Sequence, residues 1–206
     1  MPPPPALTAL LGESQQIGAI GAAPLETHVA QAYAFVEAVR LAIGTPLQLL
    51  DLGSGGGIPG LVAAAALPDT HCTLLDGREE RARLLRGHVT RLGWRARVDI
   101  VAARAEVAGH GDLRGRFDAV LARGFGAPAA TAECGAAFLR PGGVLVVSDP
   151  PEGPGQRWPV EGLERLGLAP RPLLQQAWAL SCFELVTPLD DRYPRRVGIP
   201  AKRPLF

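Results

Sequence analysis

Strands alternating with helices from residue 47 onward predict a doubly wound α/β fold, with a mostly parallel seven-stranded sheet and an antiparallel hairpin at one edge. Three observations carry that expectation. Short apolar runs recur, separated from one another by helix-length amphipathic segments. A glycine-rich turn follows the first run, and an acid closes each of the first two, Asp51 and Asp76. A chain of 206 residues, 47% apolar and 20% charged, is long enough for one hydrophobic core and has the composition of a globular protein.

Residues 1–16 are Pro-rich and then polar, and are expected to be a flexible lead-in to a single domain over 17–206. Over 24–40, Leu25, Val29, Ala32, Tyr33, Val36 and Val39 recur at spacings of three and four, an amphipathic helix that Thr45-Pro46 ends. Residues 47–52 form the first strand, and 58–67 a helix stopped by Pro68. The second strand is 72–75, followed by a charged helix over 78–92 that Gly93 closes. Strands follow at 98–102 and 117–121, then a helix over 127–139 and a fifth strand at 144–147 after Pro141-Gly142-Gly143. A short helix over 158–166 and two last strands, 172–177 and 180–187, complete the pattern.

Several function classes fall away on composition. No basic region precedes the first apolar stretch. The longest Ala/Leu-type run, 61–67, is far short of the roughly 20 residues a membrane helix needs. A soluble, cytoplasmic protein that neither spans a membrane nor holds a metal is therefore expected. Cys72, Cys134 and Cys182 never approach a metal-ligand spacing and read as small buried apolar residues. The net charge is +1, yet residues 192–206 carry five cations (Arg192, Arg195, Arg196, Lys202, Arg203) and no acid, leaving −4 on the rest. A basic tail on a mildly acidic body hints at an anionic partner.

The chemistry centres on residues 50–60, Leu-Asp-Leu-Gly-Ser-Gly-Gly-Gly-Ile-Pro-Gly, between a strand and a helix. Glycines there let the backbone turn sharply and approach a ligand, in the crevice where open α/β sheets bind their ligands. Gly55-x-Gly57-x-x-Gly60 also satisfies the dinucleotide fingerprint, with Asp76 where a ribose-binding acid belongs. Asp51 discriminates. A pyrophosphate avoids a carboxylate at the strand end, whereas S-adenosylmethionine has no phosphate and brings a cationic sulfonium and ammonium. Asp51, Gly53, Ser54, Gly55 and Gly57 therefore point to that methyl donor, with Asp76 and Gly77 at its ribose. Asp76 also fits as a cap for the helix that follows.

These residues resemble the bacterial small-subunit ribosomal RNA guanine-N7 methyltransferases, called RsmG or GidB, within the class I methyltransferases of Rossmann-like fold. The similarity runs from about Ile17 to the C-terminus and is strongest at Asp51-Leu52-Gly53-Ser54-Gly55 through Pro59-Gly60-Leu61. Further matches are Arg104-Ala105-Glu106, Ala122-Arg123-Gly124-Phe125, and the terminal block from Tyr193 to Leu205. The resemblance implies a methyltransferase of ribosomal RNA. Ala105 and Glu106 would border the adenine, and Arg123 and His28 would lie at the methyl-transfer site. Arg195, Arg196, Lys202 and Arg203 would position RNA phosphates.

The chain departs from the family on the substrate side. Thr27 stands where the family has Arg, Gln31 and Ala32 where it has Asp-Ser, and Ser148-Asp149 where it has Lys-Gly. A small metabolite or a protein side chain is thus an alternative acceptor, and a silent cofactor-binding module is a third reading. Asp149-Pro150-Pro151 reads as a rigid turn, although it is similar to the acid-Pro-Pro motif of amino-group methyltransferases. Methylation of guanine N7 needs no general base, because N7 presents a lone pair and no proton. The lack of a His/Asp or Cys/His device is consistent with that chemistry.

Overall fold

Leu49 and Leu50, neighbours in the first strand, bury on opposite sides of the sheet, and the same division runs through every central strand. The computed structural model describes residues 3–173 and 177–206. Its strands are β1 (Gln48–Leu52), β2 (His71–Asp76), β3 (Val98–Ala102), β4 (Phe117–Ala122), β5 (Leu139–Ser148), β6 (Leu168–Pro170) and β7 (Leu180–Leu185). The helices are α1 (Pro5–Gln16), α2 (Leu25–Ile43), α3 (Gly60–Ala66), α4 (Glu79–Arg91), α5 (Ala105–Ala108), α6 (Pro128–Ala136), α7 (Val160–Glu164) and α8 (Ile199–Lys202). The sheet order is β3-β2-β1-β4-β5-β7-β6. The first five are parallel, and β7 runs antiparallel between β5 and the edge strand β6.

One face, with Leu49, Leu74, Leu121 and Val146, packs against Leu7 of α1, Phe35 and Val36 of α2, Leu61 of α3 and Leu85 of α4. The other, with Leu50, Leu75, Val120 and Leu145, packs against Ala132 of α6, Leu163 of α7 and Tyr193. Strands covered on both sides read as unbroken apolar runs, which is why they were recognisable in the sequence. The parallel register brings the carboxyl ends of β1, β2, β3 and β4 to one edge: Leu52 pairs with Leu75, Asp76 with Ala102, and Asp51 with Leu121.

The N-terminal segment corrects an expectation. Residues 5–16, read as a flexible lead-in, form α1. The proline run supplies its N-cap, Pro4, and its first residue, Pro5, a position where the missing N–H costs nothing. Leu7, Leu10, Leu11 and Ser14 follow at helical spacing and are buried. The polar residues that suggested disorder are bonded. Ser14 Oγ lies 2.9 Å from His88 Nε2, Glu13 pairs with Arg91, and Gln15 Nε2 donates to the Gly21 and Ala23 carbonyls.

Other boundaries shift for local reasons. The strand expected over 172–177 lies instead at Leu168–Pro170, where Leu168 pairs with Leu185; residues 174–176 lie outside the described residues. α3 begins at Gly60 because residues 55–59 are turn, with a cis peptide between Ile58 and Pro59. Asp149 accepts hydrogen bonds from Trp158 Nε1 and Ser181 Oγ, so the Pro150-Pro151 turn is pinned by its own acid.

Candidate active site

The loop after β1 is bound to its neighbour strand, since the Gly53 and Ser54 N–H groups both donate to the Leu75 carbonyl, at 2.8 and 3.0 Å. Gly53 has φ +76°, and a Cβ there would approach Phe125 Cδ2 to 2.8 Å, so the turn and the aromatic ring both require glycine. Gly60 is fixed by the acid below it. Its N–H donates to Asp51 Oδ2 at 2.9 Å, and a Cβ would strike that same oxygen. Ser54 Oγ donates to the Asp51 carbonyl, and Ser54 is buried. Gly57 packs against Leu61 and Leu85. Ser54 and Gly57 therefore shape the loop from beneath.

Asp51 is 1% exposed, and its Oδ1 is buried with no hydrogen-bond partner among the described residues. Burial pushes its carboxyl up from 3.8 to about 7, against the Gly60 N–H and the charge of Arg123, which favour the anion. Burial in turn lowers the pKa of Arg123, with Asp51 opposing. Arg123 Nη1 is likewise buried without a partner, while Nη2 lies 3.1 Å from His28 Nδ1. A guanidinium can only donate, so Nδ1 accepts; His28 Nε2, 3.0 Å from the Gly21 carbonyl, must then carry the proton. The ring is the neutral Nε2–H tautomer, and its one lone pair is occupied by Arg123. His28 is thus placed as a support for Arg123, and the geometry gives it no role as a base.

Two adjoining cavities open at the carboxyl edge. The larger, about 300 Å³, is lined by Gly53, Gly55, Asp76, Arg78, Arg81 and Phe125, among others. The smaller, about 140 Å³, is lined by Ala105, Glu106, Phe125, Cys134, Pro200 and Ala201, and shares Gly77 and Arg104 with its neighbour. Asp76 accepts from the Gly55 N–H through Oδ2 and from the Arg78 N–H through Oδ1, which ties the glycine loop to the turn before α4. The N-cap itself is Arg78, with no side-chain cap bond, so Asp76 does not cap the helix as the sequence suggested. Glu106 is 5% exposed. Burial raises its pKa, but hydrogen bonds from Arg104 and the Gly198 N–H outweigh it and leave the carboxyl below the usual range.

The basic tail corrects a second expectation. Arg195 donates through Nε and Nη2 to both oxygens of fully buried Glu133, and its N–H adds a third donor at 2.7 Å. It holds the terminal segment on α6 and is not a loose cation. Gly198 on Glu106, His110 Nε2 at the Pro194 carbonyl and Arg114 Nη1 on the Tyr193 carbonyl extend the seam, and the segment ends as a cavity wall through Pro200 and Ala201. Arg196, Lys202 and Arg203 remain exposed.

The structure thus brings Asp51, Gly53, Ser54, Gly55, Gly57, Asp76, Gly77, Ala105, Glu106 and Arg123 to one edge of the sheet. Sequence reasoning did not assign Phe125 a place, although it borders both cavities, and it passed over Arg81. Arg81's signal was its position in the first turns after Asp76. No helix among the described residues is long and apolar enough to cross a membrane, and no group of three or more potential metal ligands occurs among them. All three cysteines are buried free thiols.

Among solved structures, an O-methyltransferase from Bacillus cereus, described as in complex with SAH, superposes with a TM-score of 0.63 at 15% identity, over 89% of this chain and 92% of that one. A putative O-methyltransferase from Klebsiella pneumoniae gives 0.63 at 18% identity, covering 91% and 92%. At these identities the likeness shows the fold, that of the class I methyltransferases. Curated relatives named ribosomal RNA small subunit methyltransferase G are closer in sequence. One from Synechococcus sp. is 33% identical over 78% of this chain and 70% of its own length. One from Roseiflexus castenholzii is 34% identical over 84% and 78%. The family profile described as rRNA small subunit methyltransferase G, GidB, matches residues 25–148, a span that holds the glycine loop, Asp76, Glu106 and Arg123. By both measures, the chain belongs to the GidB family of rRNA small subunit methyltransferases.

Proposed function

We propose that the chain is a cytoplasmic methyltransferase that transfers a methyl group from S-adenosylmethionine to a guanine N7 of small-subunit ribosomal RNA. The observation that carries this reading is Asp51: a buried carboxylate with one unpartnered oxygen, set under a glycine loop at the end of β1. Such a group suits a cationic ligand without phosphates. The residues fit the donor in other respects. Asp76 presents an acceptor to vicinal ribose hydroxyls, and the smaller cavity, walled by Ala105, Glu106 and Phe125, suits a planar base. When bound, the donor supplies an electrophilic methyl on a sulfonium.

The chain's own residues then have limited tasks. Asp51, ionised, attracts positive charge to the edge of the sheet. Arg123, whose buried Nη1 has no partner among the described residues, would meet an acceptor of the donor or substrate once the site is filled, and His28 holds the guanidinium through Nη2. No residue needs to remove a proton from N7, which agrees with a His28 ring whose lone pair is already taken. The dominant contribution is alignment of the reacting atoms. N7 lies in the deep, narrow major groove of A-form RNA, so the target base must sit in a loop or be extruded. Arg196, Lys202 and Arg203 are the exposed cations available to flanking phosphates.

Incubating the protein with labelled donor and fractionated cell extract tests the reading. Label should enter RNA, transfer should weaken as salt rises, and Arg123→Ala should lower it by about a hundredfold or more while the circular dichroism spectrum persists. Label confined to small molecules or protein would contradict the RNA assignment, and full activity of Arg123→Ala would remove the role given to Arg123.

A further inference from the structure

Three arginines, Arg78, Arg81 and Arg104, border the larger cavity, although the cofactor proposed for it carries no phosphate. Their surroundings differ. Arg104 is paired with buried Glu106 at 3.0 Å. Arg78 is exposed to solvent. Arg81 is half-buried, and its Nη2 makes one long hydrogen bond, 3.3 Å, to the Gly18 carbonyl. Its Nη1 is shut off from solvent and has no hydrogen-bond partner among the described residues. None of the ion pairs of the described residues includes Arg81. Asp76, an acid on the same wall, directs its two oxygens to the N–H groups of Gly55 and Arg78.

A guanidinium keeps its charge at any working pH, only donates, and has the fork geometry that matches a carboxylate. A buried N–H left without a partner, as Nη1 is, is costly, so an anion that reaches it is favoured. The backbone around Arg81 narrows the choice of anion. Residues 18–20 lie directly on the glycine loop: a Cβ on Gly56 would come within 2.9 Å of the Ala19 carbonyl and closer still to Ile20. Arg81 therefore stands where the α1–α2 connection, the glycine loop and α4 meet, at a cavity with room for part of a small molecule. A bulky phosphodiester backbone meets exposed Arg78 and the exposed cations of the tail first, whereas a small carboxylate inside the cavity can follow its wall to half-buried Arg81.

We infer that Arg81 forms the subsite for the α-carboxylate of the methionyl half of the cofactor. The assignment rests on the reading that this cleft takes S-adenosylmethionine. It gives the amino-acid end of the ligand an anion site on α4, separate from the carboxylates that serve its cationic and ribose parts. Because Arg81 also touches the Gly18 carbonyl, the same contact would set the N-terminal connection against the bound ligand.

Calorimetry with two probes tests this: S-adenosylmethionine and its decarboxylated form, which keeps the sulfonium and the amine and lacks only the carboxylate. The wild-type protein should prefer the complete molecule by about tenfold or more. In Arg81→Met that preference should vanish, through weaker binding of S-adenosylmethionine alone, and Arg81→Lys should restore part of it. If Arg81→Met weakens both probes equally, Arg81 is only a clamp on Gly18 and the inference fails. An unchanged preference, or an effect confined to the KM for RNA, overturns it as well. If the wild-type protein binds neither probe, the cofactor reading itself is wrong, an outcome distinct from the others.

Discussion

On the β1 side of the cleft, Asp51 is held by the N–H of Gly60, nine residues away, and by a loop whose glycines leave no room for a Cβ. On the C-terminal side, Glu106 and Glu133 are buried acids whose partners, Gly198 and Arg195, lie 92 and 62 residues further along. The first wall is made of local backbone geometry, which admits few sequences and can be read from a short string. The second is made of long-range contacts from the terminal segment to buried acids, the Gly198 N–H on Glu106 and the Arg195 ion pair with Glu133, which in sequence look like an ordinary basic tail. Asp51 on the β1 wall and Glu106 on the cavity side of the tail wall each keep one buried oxygen without a partner among the described residues, whereas Arg195 and Glu133, behind the tail, satisfy each other. On the reading proposed above, the unpartnered acids face the ligand and the mutually satisfied pair holds the fold.

The largest effect expected from breaking this contrast is at Gly60. In Gly60→Ala the new Cβ meets Asp51 and Leu74, so Asp51 must shift; overpacking should cost about 2 kcal/mol and cofactor affinity should fall at least tenfold. Gly87→Ala, on α4 with nothing within 4 Å of a new Cβ, should instead gain about 0.5–1 kcal/mol and leave binding intact. Urea unfolding and calorimetry on the two variants check both signs. If Gly60→Ala binds as the wild type does, the fixed carboxylate is not what the loop is built for.

A smaller effect on ligand binding, though a comparable one on stability, belongs to the tail. Glu133→Gln leaves Arg195 against a neutral amide in a largely buried position and should cost about 2–3 kcal/mol. Its consequence for the ligand should be confined to the cavity that Pro200 and Ala201 wall. Adenine-bearing ligands should weaken by a few-fold, with no change in the pH dependence set by Asp51. A loss of binding as large as that of Gly60→Ala would show that the two walls are not independent.

The parallel core was legible because Leu49-Leu50, Leu74-Leu75 and Val120-Leu121 each feed both faces and so form continuous apolar runs. The glycine loop was legible because its constraints are local. α1 was not, since a proline run and the polar stretch from Gly12 to Gln16 are the signature of a loose terminus; only contact with α4 makes Glu13 and Ser14 structural. The edge strand was misplaced by a few residues, as an edge position has one neighbour and a weak pattern. Arg195 and Arg81 show the limit most clearly. Nothing in composition distinguishes an arginine bound to a buried acid, an arginine with a dry unpaired N–H, and an exposed one such as Arg196.

The central claim is that Asp51 takes a cationic, phosphate-free nucleoside, and its pKa fixes the sign of a test. Folding raises this carboxyl from 3.8 to about 7, so the folded chain holds the proton more tightly than the unfolded one. Asp51's contribution to stability is therefore most favourable below 3.8 and declines as pH rises to 7. A cation favours the ionised form, so binding below neutral pH must expel a proton. Calorimetric titration of the wild-type protein with S-adenosylmethionine, from about pH 5.5 to 8, should show affinity falling toward about tenfold per unit below 7, with a proton released to buffer. Affinity indifferent to pH over that range, or tighter uptake of a nicotinamide dinucleotide, would contradict it.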